Sequence, residues 1–143
     1  MNDKYIVYFV SKTKKKMVKY IEKQLELQGL DELVPSYGNI LTVLYDNDGK
    51  MTMKEIGDLL GKDKSTITAL VSKLMAKGYV EKQKSTTDRR KTYIRLTQKS
   101  IDIKDSFDAI SKNVHETAYK GLTKEEKKVF LDVLKKINMN FDI

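Results

Sequence analysis

Hydrophobic residues recur at intervals of three and four along most of the chain, a spacing that predicts amphipathic α-helices. The first predicted helix covers about residues 4–27. Pro35 begins the second helix, because its missing amide costs nothing at the first helical position, and the polar residues 46–49 end it. Thr52 is placed to cap a third helix that ends at Gly61.

A fourth helix follows almost at once, with Asp63 as its N-cap and Gly78 as its stop. Only Gly61 and Lys62 separate its cap from the preceding helix. The apolar face of the fourth helix comprises Ile67, Leu70, Val71 and Leu74. Two short helices joined by a tight glycine turn predict a helix-turn-helix, in which the second helix reads DNA.

After the fourth helix the hydrophobic period changes from helical spacing to alternation. Residues 79–84 and 92–96 are predicted to pair as two strands. Their inward side chains are Val80, Ile94 and Leu96. The polar, cationic residues between the strands form a hairpin tip, and a helix-turn-helix followed directly by such a hairpin predicts a winged helix.

The C-terminal third returns to helical spacing. Thr97 is predicted to cap a long helix that reaches about Lys120. Thr123 and Glu126 have the spacing of a capping box for a last helix. The first helix and these last helices carry more apolar surface than a small winged helix needs to fold.

The predicted fold is therefore mostly α with a small β-hairpin wing. Residues 1–143 are expected to form a single domain. Its winged helix-turn-helix covers about residues 35–97, between dimerisation helices at about 4–28 and 98–140.

The formal net charge of +8 is concentrated in the middle of the chain. Residues 50–99 hold 13 Lys and Arg against 5 Asp and Glu. Residues 1–49 hold 7 of each sign, and residues 100–143 hold 8 of each. The middle third thus accounts for the whole excess, which is the pattern of a polyanion-binding module between neutral flanks.

Other chemistry finds little support. The chain has no cysteine, which excludes disulfides, thiolate metal sites and a thiol nucleophile. Its single histidine, His115, is interpreted as a solvated side chain rather than a metal ligand. The apolar run at residues 5–10 is too short to span a membrane. We therefore expect a cytoplasmic protein that is not an enzyme and uses no metal or cofactor.

Two segments resemble the MarR family of bacterial transcription regulators. They are TMKEIGDLLGKDKSTITALVSKLMAKGYVEK, which begins at Thr52, and the wing segment DRRKTYIRLT, which begins at Asp88. The similar order of elements extends over nearly the whole chain. The resemblance implies a homodimer that binds a pseudo-palindromic operator in double-stranded DNA, in most cases as a repressor. It also implies release of DNA when a small aromatic or lipophilic anion binds.

The predicted DNA-binding residues lie on the fourth helix and at the wing tip: Lys64, Ser65, Thr66, Thr68, Lys73, Asp88, Arg89, Arg90 and Lys91. Asp88 is close enough in sequence to hold the Arg90 guanidinium by a charge-assisted hydrogen bond. The resemblance directs Arg90 into the DNA minor groove. The predicted dimerisation residues are Ile6, Phe9, Ile110, Phe130, Val133, Leu134 and Ile137.

Two further expectations concern partners. An effector pocket is expected where the dimerisation helices meet the winged helix, near Tyr37 or Tyr45. The alternative to DNA binding is a winged helix that serves only as a protein-docking module. Cations on both the fourth helix and the wing tip favour DNA, because a docking module rarely concentrates charge on both.

The absence of cysteine leads to a first prediction. Direct thiol oxidation cannot trigger release from DNA, since no thiol is present. Peroxide at doses that leave methionine intact is expected to leave the DNA affinity of the purified protein unchanged in a gel shift. Mass spectrometry of the treated protein verifies the methionines, and release from DNA under these conditions would contradict the prediction.

Overall fold

The computed structural model describes residues 1–142, which are mostly helical with a small antiparallel sheet. The helices are α1 (Ile6–Leu27), α2 (Pro35–Asp46), α3 (Met53–Leu60), α4 (Lys64–Ala76), α5 (Gln98–Asp102), α6 (Lys104–Ala118) and α7 (Lys124–Asn140). The strands are β1 (Lys50–Thr52), β2 (Val80–Lys84) and β3 (Thr92–Leu96). The predicted fold class is confirmed. Among residues 1–142, no helix has the length and apolar character that crossing a membrane requires.

The residues pack into two compact units, one formed by residues 1–110 and the other by the residues from 111 onward. The first unit contains the helix-turn-helix, the sheet and the helices α1 and α2. The second contains α7 and the preceding residues.

The helix-turn-helix of the first unit is built as its sequence predicts. The Thr52 hydroxyl accepts the Glu55 amide at 3.1 Å and so caps α3. Gly61 ends α3 in the left-handed conformation, with φ of 63°. Gly57 is needed for a different reason, since a Cβ there would lie 2.9 Å from the carbonyl oxygen of Lys62. This close approach lets the chain turn tightly from α3 into α4.

The hydrophobic core of the first unit is centred on α2 and α4. Helix α4 contributes Ile67, Val71 and Leu74, all fully buried, and the predicted apolar residue Leu70 is partly buried beside them. Because the apolar face of α4 is covered, its opposite face is turned to solvent. The orientation of α4 is therefore set by burial of three aliphatic side chains, worth about 1.5–3 kcal/mol each.

The sheet has the strand order β1-β3-β2, with both pairs antiparallel. The prediction of two strands was incomplete, since it missed β1. Residues 50–52 are too few to show an alternating pattern, and their pairing with β3 depends on residues more than forty positions later. Met51 lies opposite Ile94, and both side chains are buried. Strand β1 thus ties the wing to the start of α3.

The prediction of one long helix from Thr97 to about Lys120 was wrong, because the helix is interrupted at Ile103. In an unbroken helix the Ser100 carbonyl would accept the amide of Lys104. In the structure it accepts the Tyr45 hydroxyl at 2.5 Å. A side chain from α2 therefore occupies the backbone acceptor at the point where α5 ends.

Thr97 does not cap α5 with its side chain, contrary to the prediction. Its hydroxyl instead donates to the Gly78 carbonyl at 2.5 Å. The next buried hydroxyl, that of Ser100, donates to the Tyr79 carbonyl at the same distance. These bonds join the start of α5 to the residues that connect α4 with the wing.

The Tyr79 side chain is buried at this junction, with 1% of its surface exposed. Its hydroxyl donates to the Glu32 carboxylate, which also lies 3.0 Å from the Lys99 ammonium. The hydrogen bond from Tyr79, with that from Lys99, lowers the pKa of Glu32 below its ordinary value. Burial, reinforced by the bond to Glu32, raises the pKa of Tyr79. The carboxylate thus joins the loop before α2 to the end of α4.

The second unit is organised by α7. The Thr123 hydroxyl accepts the Glu126 amide at 3.1 Å, and the Glu126 carboxylate accepts the Thr123 amide at 3.1 Å. The predicted capping box is therefore confirmed. None of the side chains of α7 is buried within the chain.

The second prediction concerns Glu32→Gln. The variant keeps an acceptor for Tyr79 and Lys99 but loses the charge, so its free energy of unfolding at pH 7 should fall by about 0.5–1 kcal/mol. This lies below the roughly 1.5–3 kcal/mol of hydrogen bonds to charged groups, because the Glu32 side chain is 43% exposed and screened by solvent. The folded-state pKa of Glu32 is lowered, so its contribution is present above the unfolded pKa and is lost as pH falls through the folded pKa.

Urea unfolding of both proteins between neutral and acidic pH measures this difference. The gap between wild type and variant should close as the pH falls through the lowered pKa of Glu32. Glu26→Gln is a matched control, because the Glu26 carboxylate has only an exposed pairing with Lys23 at 4.0 Å. A gap that stays constant with pH would show that Glu32 acts by packing and not by charge.

Candidate nucleic-acid interface

Helix α4 exposes the polar face that the sequence predicts. Its predicted DNA-binding residues Lys64, Ser65, Thr66, Thr68 and Lys73 are all exposed. The Ser65 hydroxyl donates to Asp63 at 3.0 Å, and the Thr68 hydroxyl lies 3.6 Å from the sulfur of Met53. The face therefore offers two ammonium groups and several short hydroxyl side chains, which suit the acceptor-rich major groove.

Asp63 caps the amino end of α4, as predicted. Its Oδ1 accepts the Thr66 amide at 2.8 Å. This backbone hydrogen bond, with those from the Thr66 and Ser65 side chains, lowers the pKa of Asp63. The carboxylate stays ionised at neutral pH and holds the first turn of α4 in place. Its role is therefore to stabilise the helix start, and not to attract an anionic ligand.

Ser85 organises the wing tip, a role that the sequence analysis did not assign. Its hydroxyl oxygen accepts the amides of Thr87 at 3.2 Å and of Asp88 at 3.1 Å. Its own amide donates to the Lys91 carbonyl at 3.1 Å, and the Lys91 amide donates to the Asp88 carbonyl at 3.0 Å. A serine three residues before an aspartate is a local turn signal that could have been recognised.

Asp88 makes the predicted hydrogen bond to Arg90. Its Oδ1 accepts the Arg90 backbone amide at 3.0 Å and the guanidinium Nε at 3.2 Å. The backbone bond first, and the side-chain bond second, lower the pKa of Asp88. The Arg90 side chain is nevertheless 91% exposed. The wing tip thus presents a charged guanidinium that Asp88 orients through its Nε, next to the exposed Arg89 and Lys91.

A cleft of about 620 Å³ lies between α4 and the wing. Its lining comprises Met53, Lys64, Lys82, Lys84, Arg90, Thr92 and Ile94. The lining includes cations from the first turn of α4, from β2 and from the wing tip, and it includes no carboxylate. The cleft therefore brings cations from the two predicted DNA-binding elements together in one lining.

The two faces of the wing differ in charge. The face directed to the core carries Val80 opposite Leu96, and Lys82 and Lys84 extend the same face outward opposite Ile94 and Thr92. We call this the inner face. On the outer face Arg95 donates to Glu81 at 2.6 Å. The outer face is thus internally neutralised, whereas the inner face is cationic.

Lys82 and Lys84 were missed as site residues. The signal was present, since period-two alternation places both on the same face as Val80. The strand register adds that both lysines lie beyond the buried Val80 on the inner face, toward the hairpin tip, where they line the cleft.

Most of the predicted dimerisation residues are exposed within the single chain. Ile6 and Phe9 on α1 are exposed, as are Phe130, Val133 and Leu134 on α7, and Ile137 is partly exposed. Ile110 differs, since only 5% of its surface is exposed. The prediction assigned the Ile110 side chain to a partner, but this side chain is already covered inside the chain, because the amino-terminal half of α6 contributes to the core. Ile110 is therefore a core residue here.

The two residues predicted near an effector pocket, Tyr45 and Tyr37, differ in whether their side chains are already used in contacts within the chain. The Tyr45 ring packs against Phe107 with centroids 5.4 Å apart, and its hydroxyl is bonded to Ser100. Burial raises the pKa of Tyr45 to about 12. This side chain is a structural link between α2 and α5, and its hydroxyl is already used. Tyr37 is partly exposed and keeps surface that a ligand could contact.

The fold and the exposed cationic elements define a winged helix-turn-helix protein. A family model described as "MarR family" matches residues 33–91. The chain is 31% identical over 140 residues to the HTH-type transcriptional regulator SarZ of Staphylococcus haemolyticus (strain JCSC1435), covering 96% of this chain and 88% of that one. The chain belongs to the MarR family of transcriptional regulators, as its sequence motifs indicate.

Solved structures share the fold at low sequence identity. An organohalide-sensing transcriptional regulator in its 2,4-dichlorophenol-bound form superposes with a TM-score of 0.82 at 20% identity, over 99% of this chain and 82% of that one. A mutant MarR from E. coli complexed with operator DNA superposes with a TM-score of 0.77 at 20% identity, over 96% and 99% of the two chains. These likenesses show the winged-helix fold extending along both chains.

Proposed function

We propose that this regulator binds double-stranded DNA as a homodimer and represses transcription from a pseudo-palindromic operator. The single observation that carries the proposal is the cleft between α4 and the wing, whose lining places Lys64 of α4 together with exposed cations of the wing up to Arg90. A helix suits the major groove, and an arginine on a narrow hairpin suits the adjacent minor groove. The solved complex of a fold neighbour with operator DNA supports this assignment.

Dimerisation rests on apolar surface that the chain leaves uncovered. Phe9 on α1 and Phe130 on α7 are 47% and 50% exposed, and other large apolar side chains on the same helices are exposed with them. Exposed apolar surface on this scale marks an interaction site. We assign it to a second copy of the chain. In a symmetric dimer the two α4 helices reach half-sites about 10 base pairs apart.

The proposal also covers the effector, the lack of a catalytic step and the cellular location. A small aromatic or lipophilic effector would modulate DNA binding, as the dichlorophenol-bound form of a fold neighbour suggests, and Tyr37 suits it better than Tyr45, whose hydroxyl already donates to the Ser100 carbonyl. We infer that the regulator performs no catalytic step and acts in the cytoplasm, where it would meet DNA. Residues 1–143 are proposed to work as one functional domain.

A gel shift with DNA flanking the protein's own gene tests the function, with light scattering on the same sample. The expected result is a dimer at micromolar concentration that retards this DNA more strongly than an unrelated duplex of equal length. A dimer that binds neither duplex would favour the docking-module alternative. A monomer would contradict the symmetric arrangement.

The third prediction concerns Arg90. Arg90→Ala should weaken DNA binding roughly 5- to 150-fold for each protomer of the dimer, the range for the loss of one well-placed arginine contact. Arg90→Lys should recover the affinity only in part, because an ammonium lacks the planar fork that Asp88 holds. Arg89→Ala removes the same charge from the same tip without breaking that bond, and its effect should be smaller. Fluorescence anisotropy at one fixed salt concentration measures all three.

The fourth prediction concerns the sign of the Asp88→Ala effect. Removing a negative charge beside a polyanion would strengthen binding if net charge alone mattered. We expect weaker binding, because Asp88 orders both the backbone and the guanidinium of Arg90. Tighter binding of Asp88→Ala in the same titration would exclude the positioning role.

A further inference from the structure

The cleft between α4 and the wing is where a DNA backbone would have to lie. A helix in the major groove and a hairpin tip in the adjacent minor groove stand on opposite sides of the phosphate ridge that separates the grooves. The ridge must then pass between the two protein elements. In this structure the space between them is the 620 Å³ cleft, bounded by Lys64 on the α4 side and Lys82 on the wing side.

The chemistry of the cleft matches phosphodiester groups. Its ammonium groups come from Lys64, Lys82 and Lys84, and Arg90 lies with them in the lining. Across residues 1–142, no ion pair within 4.0 Å involves any of these three lysines. Clustered like charges without counter-charges repel one another, and a polyanion relieves that repulsion.

The remaining lining suits a backbone more than a base edge. Met53 and Ile94 supply apolar surface, and Thr92 supplies a hydroxyl. The partly exposed Met53 can contact sugar carbons and the exposed Thr92 can contact a phosphate oxygen, whereas Ile94 is only 1% exposed and lies at the base of the cleft. The lining has no asparagine, glutamine or carboxylate, the side chains that read adenine or cytosine edges.

We propose that the cleft seats the phosphate ridge and that Lys82 and Lys84, together with Lys64, contact successive phosphates. This inference rests on the proposed DNA-binding function and deepens it by adding two residues of β2 to the interface. Phosphate contacts set the register of a protein on the duplex and carry no base information. The inner face of the wing and Lys64 therefore position the protein, while Arg90 and the hydroxyl side chains on the exposed face of α4 meet the bases.

The test compares the double variant K82A/K84A with wild type by fluorescence anisotropy between about 50 and 200 mM salt. The two probes are DNA flanking the protein's own gene and an unrelated duplex of equal length. Each lost phosphate contact reduces the magnitude of the negative slope of log affinity against log salt by about 0.9. The loss of two lysines in each of two protomers should therefore make the slope shallower by between about 3 and 4, on both probes.

Two controls separate contact from general charge. K15A/K19A removes the same two charges from exposed positions of α1, and its slope should change by less than about 1. K82R/K84R keeps the charges in the cleft and should keep the wild-type slope. Both lysines are exposed, so the double variant should melt at the wild-type temperature in circular dichroism.

A second measurement identifies the contacted groups. Neutral methylphosphonate linkages placed singly along the duplex should weaken wild-type binding at the ridge positions and leave K82A/K84A unaffected there. If wild type binds DNA but K82A/K84A matches K15A/K19A in slope, the inference is overturned while the proposed function stands. If wild type binds neither duplex, both are overturned.

Discussion

The arrangement of the DNA-facing surface depends on how Tyr79 is held. This residue follows the Gly78 turn, where α4 ends and the wing begins, and its side chain is almost fully buried. Its amide donates to the Leu74 carbonyl at 2.9 Å, which closes the end of α4. Its carbonyl accepts both the Thr97 amide at 3.2 Å and the Ser100 hydroxyl at 2.5 Å. One residue therefore connects α4, the wing and the start of α5, and its hydroxyl adds the carboxylate of Glu32.

The cleft takes its shape from that junction. Its walls are formed by the first turn of α4 and the inner face of the wing, and α4 ends and β2 begins on either side of Tyr79. Because a packed aromatic ring and a set of satisfied hydrogen bonds leave little freedom, this junction restricts the spacing of the walls. A restricted spacing matters for DNA, whose grooves and phosphate ridge have set dimensions. The lysines of the cleft can remain flexible, because a point charge needs only to reach a phosphate.

Electrostatics divides the molecule in the same way. Where carboxylates occur near the wing they serve local order: Glu81 neutralises Arg95 on the outer face, and Asp88 holds Arg90 at the tip. On the inner face they are missing, and the lysines there stay uncompensated. The fold thus gathers four of the 13 cations of the middle third of the chain around the cleft between α4 and the wing, with no carboxylate in its lining. A uniform distribution over the same residues would attract DNA without orienting it.

The sequence alone determined the features that depend on near neighbours. The Asp63 cap, the Thr123–Glu126 capping box and the hydrogen bond between Asp88 and Arg90 each join groups two or three residues apart. Such bonds form wherever the local chain takes its preferred conformation. The helices and the paired strands β2 and β3 followed from hydrophobic periodicity for the same reason.

The tertiary structure alone decided how distant segments compete for the same groups. Thr97 lost its capping role because a carbonyl nineteen residues earlier lies within reach of its hydroxyl. The long helix was interrupted where Tyr45, fifty-five residues away, bonds to Ser100. Strand β1 forms because its backbone pairs with the free edge of β3. Ile110 is buried in the core of the chain and not on its surface. Local pattern shows what a side chain prefers, whereas packing decides which partner is close enough, because contacts between distant residues depend on the whole fold.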